Sequence, residues 1–256
     1  MYYIEMHDHQ AIELFHLLFL HAFGARVDRS LYVLKGGCNL RFYCKSIRYS
    51  EDMDLDVRTM SVAALRNNVE RVLTGPSLPL ALRAQGLVLE RRTAPKQTET
   101  TQRWKLSLRR LDGAHGVPTK VEFSRRKLDA GAELAPVDAE ILRRYRLYPV
   151  LAQHYGLTAA FAQKVAALAG RTETQARDLF DLKLLLDQGA DPGAAAGLRR
   201  LLPAAIENAM SVGYDQFAGQ VLAYLEPEYQ DHYRVRPAWE ALQDEVVRRL
   251  ETLARP

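Results

Sequence analysis

Three stretches of the chain alternate apolar and polar residues at period two, the signature of strands with one buried face. In the first, Met53, Leu55 and Val57 take one side and Asp52, Asp54 and Asp56 the other. In the second, Trp104, Leu106 and Leu108 interleave with Lys105, Ser107 and Arg109; in the third, Val121 and Phe123 separate Lys120, Glu122 and Ser124. Elsewhere apolar residues recur at steps of three and four, which winds a single stripe down a helix. Trp239, Leu242, Val246, Leu250 and Leu253 form the clearest such stripe, with Arg248 and Arg249 outside it and Trp239 read as core.

Followed along the chain, these patterns predict helix over 9–23, strand over 31–34, helix over 37–45, strand over 52–57, helix over 60–74, and strands near 86–93, 102–110 and 119–125. The polar, threonine-rich run between Arg92 and Arg103, with Pro95 in it, reads as a flexible hairpin loop. Ala130 to Pro136 reads as a linker. Beyond about residue 137 the pattern turns helical, with stops at Gly170, at Gly189 to Gly197 including Asp191-Pro192, and at Pro227. The expected architecture is α+β. Residues 1–135 would form an α/β domain with a mixed sheet, and residues 136–256 a helical domain closing a cleft over the acidic strand and bringing Lys164 toward Asp52 and Asp54.

The candidate chemistry begins at Gly36-Gly37, between the strand ending at Leu34 and the helix that follows. Glycine lets backbone approach a phosphate with no Cβ in the way, and the unpaired N–H groups opening a helix point at the anion. Such a pair also serves as an ordinary tight turn. The acidic strand adds the second half. Asp52, Asp54 and Asp56 share one face, where like charges raise one another's pKa, and a bound divalent cation removes that penalty. Mg²⁺ or Mn²⁺ suits such a site, held by one or two carboxylates and completed by water and substrate phosphates. A solvated acidic edge is the alternative. Asp52 and Asp54 are the candidate metal ligands; Glu122 is the best third acid, with Asp56 competing for the role. Arg48 and Ser50, just before the strand, are candidate phosphate contacts.

A second group lies far along the chain. Lys164 and Arg171 are two helical turns apart, beside the apolar stripe Phe161, Val165 and Leu168, so the two cations project together and could hold β and γ phosphates. In the next helix Asp178 and Asp181 lie one turn apart, and Arg177 can pair with Asp181. Arg-Asp-x-x-Asp also reads as a surface ion-pair network.

Gly36-Gly37 followed by Arg48-x-Ser50-x-Asp52-x-Asp54 resembles the nucleotidyltransferase motif of the AbiEii/AbiGii toxin family, within the DNA polymerase β-like nucleotidyltransferase superfamily. Residues 162–171, then Arg177-Asp178-Leu-Phe-Asp181-Leu, are similar to that family's second block, a lysine-bearing helix followed by an Arg-Asp-x-x-Asp helix. The match is strong over 31–57 and 157–187 and thin after about 200. The resemblance implies a nucleotidyltransferase-like fold and an enzyme releasing pyrophosphate from a nucleoside triphosphate, with Lys164 and Asp178 among its site residues. It further implies the toxin of a bacterial toxin–antitoxin or abortive-infection pair, an RNA acceptor such as the tRNA 3′ end, and a cognate antitoxin, often a winged-helix protein. The rival expectations are a superfamily enzyme modifying a small molecule or protein hydroxyl, and a non-catalytic nucleotide- or RNA-binding module. One departure from the family pattern is Cys38-Asn39 after the diglycine, where a small pair such as Thr-Ala is common.

Composition narrows the picture only a little. A chain of 256 residues, 48% hydrophobic and 26% charged, is ordinary folded material, which excludes a disordered chain. The net charge is only +4, but arginine dominates the basic side. Arg91, Arg92, Arg103, Arg109, Arg110, Arg125 and Arg126 fall in the expected sheet or at its edges, a concentration that could track a nucleic-acid backbone or simply solvate strand faces. Cys38 and Cys44 flank one short helix and read as reduced thiols of a cytoplasmic protein. His7 and His9 lack partners at zinc-site spacing. No secretory signal is visible, and the apolar run from Ile12 to Phe23, interrupted by Glu13, His16 and His21, is too short to cross a bilayer.

Overall fold

A computed structural model describes residues 6–125, 131–191 and 197–255, so Arg126, Ala130 and Pro192 lie outside the described residues. The chain divides into two compact units, Met1–Tyr43 with Tyr49–His154 and Cys44–Arg48 with Tyr155–Pro256. The expected change of domain at 135/136 follows the onset of helical periodicity, whereas the compact units part after His154 and assign 44–48 to the later helices.

The first unit runs α1 (Asp8–Gly24), β1 (Tyr32–Lys35), α2 (Gly36–Tyr43), β2 (Asp52–Val57), α3 (Val62–Thr74), α4 (Ser77–Ala84), β3 (Leu87–Gln97), β4 (Thr101–Arg110), β5 (Gly116–Ser124), β6 (Ala132–Pro136), α5 (Ala139–Arg144) and β7 (Leu151–Tyr155). Its seven strands form one sheet in the order β3-β4-β5-β2-β1-β7-β6. The sheet is mixed: β1 pairs antiparallel with β2 and parallel with β7, β2 parallel with β5, and β3, β4 and β5 form an antiparallel meander.

Alternation decides which side is buried. Trp104, Leu106 and Leu108 of β4 and Val121 and Phe123 of β5 are buried, as are Met53, Leu55 and Val57 of β2. Against them lies α1, in which Ala11 to Leu20 and Phe23 are all buried, so it is a core helix apolar nearly all round. Phe15, Phe19 and Phe23 follow one another with ring centroids 5.9 and 5.8 Å apart, and Phe23 reaches Phe123 at 5.3 Å. Burying side chains of this size contributes about 1.5–3 kcal/mol each. The other face carries the polar residues in register. From β2 outward, Asp52 is followed by Lys120, Lys105 and Thr93, and Asp54 by Glu122, Arg103 and Lys96.

Four elements differ from the sequence expectation. The segment expected as a linker contains β6, and the part expected to be helical holds β7 after α5; both strands have five residues, too few for a clear period. The unannounced α4 carries Pro79 in its first turn, where proline is tolerated because that N–H needs no helical partner. Between Arg92 and Arg103 the strands run on to Gln97 and resume at Thr101, so the loop is only Thr98 to Thr100, closed by Thr98 hydrogen bonds to Thr101. Pro95 is accommodated at a bulge of the edge strand β3.

The second unit is helical: α6 (Leu157–Gly170), α7 (Ala176–Asp187), α8 (Leu202–Ser211), α9 (Tyr214–Gln220), α10 (Pro227–Tyr233) and α11 (Arg236–Ala254). Trp239, Leu242, Val246 and Leu250 are buried along one side of α11, and Trp239 stacks on Phe217 with centroids 4.5 Å apart. Trp239 is core, as the stripe indicates. Among the described residues no helix is long and apolar enough to cross a membrane.

Candidate active site

Antiparallel pairing of β1 with β2 sets Lys35 opposite Asp54, so the glycine that follows β1 turns directly over the acidic strand. Gly36 has φ +67°, a left-handed backbone that disfavours any side chain, and a Cβ there would stand 3.2 Å from Asp54 Oδ2. Gly36 and Gly37 open α2. The adjacency of glycine bend and aspartate anticipated from the spacing is therefore present within the first unit.

The acids of β2 have different environments. Asp52 pairs with Lys120 Nζ at 2.8 Å, and its main-chain oxygen accepts bonds from Ser50 Oγ at 2.9 Å and Cys38 Sγ at 3.2 Å. Asp56 is buried and pairs with Lys35 Nζ at 2.5 Å. Glu122, in register with Asp54 on β5, pairs through Oε2 with Arg103 Nε at 2.5 Å. Asp54 alone of these four has neither a hydrogen bond nor an ion pair among the described residues. Burial pushes its carboxyl pKa upward; the charges of Lys120 and Lys35 act against that, and those of Asp52 and Glu122 add to it.

A half-buried carboxylate without a partner fits a cation, and Asp54 is the one acid of the four that meets this description. Asp52 and Asp54 offer hard oxygen ligands of the number Mg²⁺ or Mn²⁺ takes from protein when phosphates complete the shell. Asp52 would share its carboxylate with Lys120, while Glu122 would join only by sharing with or loosening from Arg103, and Asp56 likewise from Lys35. Accordingly, no cluster of three acidic, histidine or cysteine side chains is set for a metal among the described residues.

The remaining sequence candidates lie in the second unit and form a buried ionic cluster. Lys164 Nζ, 12% exposed, lies 2.9 Å from Asp178 Oδ1 and 2.6 Å from Asp181 Oδ2, and both aspartates are fully buried. Arg171 Nε donates to Asp178 Oδ2 at 2.6 Å while its side chain stays 38% exposed. Arg48 completes the cluster, its Nη2 reaching Asp181 Oδ1 and Oδ2 at 3.0 and 2.9 Å. Lys164, Arg171 and Arg48 thus converge on two buried carboxylates, and Arg48 also engages other groups. Burial works to lower the Lys164 pKa, but Asp181 and Asp178 outweigh it and hold the pKa above its usual value. Burial likewise works to raise Asp178, and Lys164 and Arg171 outweigh it, leaving the carboxyl below its usual range.

Arg48, read from the sequence as a phosphate contact, is thus committed to Asp181, and Ser50 to the backbone of Asp52. Asp181, expected to pair with Arg177 one turn back, is taken by Arg48 and Lys164 instead. That network escaped the sequence because Arg48 and Asp181 stand 133 positions apart. The roles of Lys35 and Lys120 were also missed, although alternation had already put Lys120 on the polar face with Glu122. The unusual Cys38-Asn39 pair points inward: Cys38 Sγ lies 3.3 Å from His16 Nδ1, and Asn39 Oδ1 lies 3.1 Å from His154 Nδ1. Neither cysteine is in a disulfide, both are buried, and burial pushes the Cys38 thiol well up.

Among solved structures, the chain is similar to JHP933 from Helicobacter pylori, with 18% identity, 96% of this chain and 95% of that one covered, and a TM-score of 0.54. It is likewise similar to a nucleotidyltransferase candidate from H. pylori, with 18% identity, 96% and 99% covered, and a TM-score of 0.56. At that identity the likeness carries the fold alone. No curated protein sequence matches the chain. The family model described as nucleotidyl transferase AbiEii toxin, type IV TA system, matches residues 18–253, nearly the whole sequence and both of the groups described above, and the chain belongs to that toxin family.

Proposed function

We propose that this chain is a metal-dependent nucleotidyltransferase that moves a nucleotide from a nucleoside triphosphate to a hydroxyl of an RNA acceptor, the tRNA 3′ end foremost, and so acts as the toxin of its toxin–antitoxin pair. The observation that carries the reading is Asp54, a carboxylate without a partner held against the positive-φ glycine that opens α2. Asp52 and Asp54 would hold Mg²⁺ or Mn²⁺. The bound metal would supply charge neutralisation for the triphosphate and the departing pyrophosphate and would acidify the attacking hydroxyl.

The chain's own residues would do the rest. Backbone N–H groups of Gly36 and Gly37 would receive phosphate oxygens, which a side chain at either position would obstruct. Lys120 keeps Asp52 oriented, and the Ser50 hydroxyl anchors the backbone at the start of β2. Arg171 bonds Asp178 through Nε alone, so its terminal nitrogens would be available to phosphate oxygens, with Asp178 as the orienting group and Lys164 supplying further positive charge. The acceptor hydroxyl, whose proton passes to solvent, attacks the α-phosphorus in line through its oxygen. The new O–P bond forms as the bond to the β-phosphate oxygen breaks, and pyrophosphate leaves with that electron pair. A cognate antitoxin would counter the resulting toxicity.

The test is incubation of the full chain with each α-labelled nucleoside triphosphate, Mg²⁺ or Mn²⁺ and total RNA, beside Asp52→Ala and Asp54→Ala controls. Label in RNA that both variants abolish is the expected result. Label in protein or in a small molecule, or RNA label that survives both substitutions, would refute it.

A further inference from the structure

The open face of the sheet in the first unit carries more positive charge than its own acids use. On β3, β4 and β5 that face presents Arg91, Lys96, Arg103, Lys105, Arg109 and Lys120 against Glu90 and Glu122, a surplus of four. Arg103 is tied to Glu122, Arg109 to Glu90 at 3.2 Å, and Lys120 to Asp52 on β2. Arg91, Lys96 and Lys105 are exposed, and among the described residues they have no ion-pair or hydrogen-bond partner. Lys105 and Lys120 lie directly opposite in adjacent strands, a like-charge pairing that destabilises a sheet and that an anion would relieve.

The cations form a line. Reading across the register, Asp52 gives way to Lys120 and then Lys105, while Asp54 gives way to Glu122, Arg103 and Lys96. Strands lie about 4.8 Å apart, so the row runs roughly 14 Å from the acids to the outer strand. Between the long side chains stand short ones, Thr93, Ser107, Gly116 and Pro118, which leave room for a chain to lie flat. Among the described residues of β3, β4 and β5, no aromatic ring lies on this face, since Trp104 and Phe123 point inward and are fully buried. The surface therefore suits phosphates and offers nothing for stacking bases. It also lacks the large apolar anchors that protein partners use.

We propose that this face seats the acceptor: the sugar–phosphate backbone of a single-stranded RNA end crosses β3, β4 and β5 over Arg91, Lys96 and Lys105, and its terminal hydroxyl arrives at Asp52 and Asp54. Recognition along the track is by charge and independent of base sequence. The proposal deepens the transferase reading above and rests on it for the direction of the strand.

The test compares the full-length chain with an Arg91→Ala/Lys96→Ala/Lys105→Ala variant and a charge-keeping Arg91→Lys/Lys96→Arg/Lys105→Arg variant. Binding of labelled tRNA and of a labelled single-stranded oligonucleotide is measured from about 50 to 200 mM salt, where each neutralised single-strand phosphate contributes about 0.7 to the slope of log K against log salt. The alanine variant should lose about 2 from that slope and at least tenfold in affinity. In the transfer assay its KM for RNA should rise at least tenfold, with the KM for nucleotide unchanged. The charge-keeping variant should behave as wild type. Wild-type slope and affinity in the alanine variant would overturn the track, as would a wild-type chain that binds no RNA, or equal competition by polyglutamate. Failure of the transferase reading looks different: the wild type labels no RNA, or Asp54→Asn still labels it, while the alanine variant loses salt-dependent RNA binding all the same.

Discussion

Replacing Asp181 with asparagine removes one of the two negative charges that hold Arg48 and Lys164 in the interior of the second unit. The substitution is isosteric, so no cavity forms, and the amide oxygen keeps one acceptor for Arg48. What changes is charge: Arg48 and Lys164 lose the carboxylate they share, with Arg48 only 6% and Lys164 only 12% exposed. Breaking a buried pair by removing one partner costs about 3–5 kcal/mol, because the survivor is left charged and poorly solvated. The retained acceptor puts the expected loss at the low end, about 3 kcal/mol, equivalent to roughly 6–12 °C in Tm for a chain of this size. Circular dichroism melts and urea titration of the full chain measure it. A companion double variant, Arg48→Met with Asp181→Leu, removes the pair together and should recover most of the loss, since apolar replacement of a buried ion pair is often neutral. The same cluster sets a pH window. Lys164 has its folded pKa raised, so its contribution is complete below the unfolded value of 10.5 and is lost as pH rises through the folded one. Asp178 has its folded pKa lowered, so its contribution is complete above 3.8 and disappears as pH falls through the folded value. An Asp181→Asn chain that melts within 1 °C of wild type would show that water, and not the aspartates, solvates Lys164 and Arg48.

Three further substitutions test the first unit. Gly36→Ala forces a Cβ into a left-handed backbone and to 3.2 Å from Asp54 Oδ2; it should cost about 1–2 kcal/mol in urea titration and lower transfer more than Tm. Unchanged transfer would remove the glycine bend from the active site. Asp54→Asn neutralises a desolvated carboxylate with no partner, so the chain should melt at or above the wild-type temperature while Mn²⁺ binding, followed by electron paramagnetic resonance, weakens at least tenfold. A clear drop in Tm would mean that a cationic partner holds Asp54 in the folded chain. His16 lies buried between Thr119 Oγ1 and Cys38 Sγ, with burial lowering its pKa to about 3. Its neutral form is favoured by folding, so its contribution is complete above 6.5 and falls by about 1.4 kcal/mol per pH unit between 6.5 and about 3. His16→Gln should flatten the acid limb of stability over that range, and an unaltered limb would refute the assignment.

How much of this was legible in the sequence depended on range. Period-two alternation identified β2, β4 and β5 and their buried faces, because Met53, Trp104 and Val121 each sit among polar neighbours that point the other way. The Trp239 stripe gave α11 for the same reason at helical period. The strands β6 and β7 carried no such signal, since five residues are too few to show a period and β7 owes its place to its parallel neighbour β1. The diglycine and its acid were adjacent in sequence terms, linked by one antiparallel pairing, so their meeting could be inferred. The partners of each charge could not. Nothing local distinguishes Asp54, which stays unpaired, from Asp56, which meets Lys35, because the difference arises from which lysine reaches across from β1 or β5. Arg48 looked like a phosphate contact because it precedes the acidic strand in the chain, and only the folded chain carries it to Asp181.

Charge bookkeeping within each unit then gives the site its physical logic. A folded protein gains little from a desolvated carboxylate without a counter-ion, and the first unit had the means to supply one: Lys35 reaches Asp56 and Lys120 reaches Asp52 on the same face. Asp54 sits between those two acids in sequence, feels the charge of both lysines, and among the described residues forms an ion pair with neither. Its raised pKa is the energetic mark of that position, and a stability argument alone would replace it with asparagine or leucine. In the second unit, Asp178 and Asp181 are instead met by cations, and Arg171 is the member of that cluster that remains part-exposed. Under the proposed reaction, the charge left unbalanced at Asp54 would serve a metal, and the part-exposed Arg171 would serve polyanionic phosphate. It follows that Asp54→Asn should preserve Tm, that Arg171→Met, which takes a partner from the buried Asp178, should lower it, and that the two should lower transfer by different routes. The first should act through metal affinity, and the second through KM for the triphosphate with kcat per bound nucleotide largely kept. A matched fall in metal affinity for both variants would mean that one site, and not two, accounts for the imbalance.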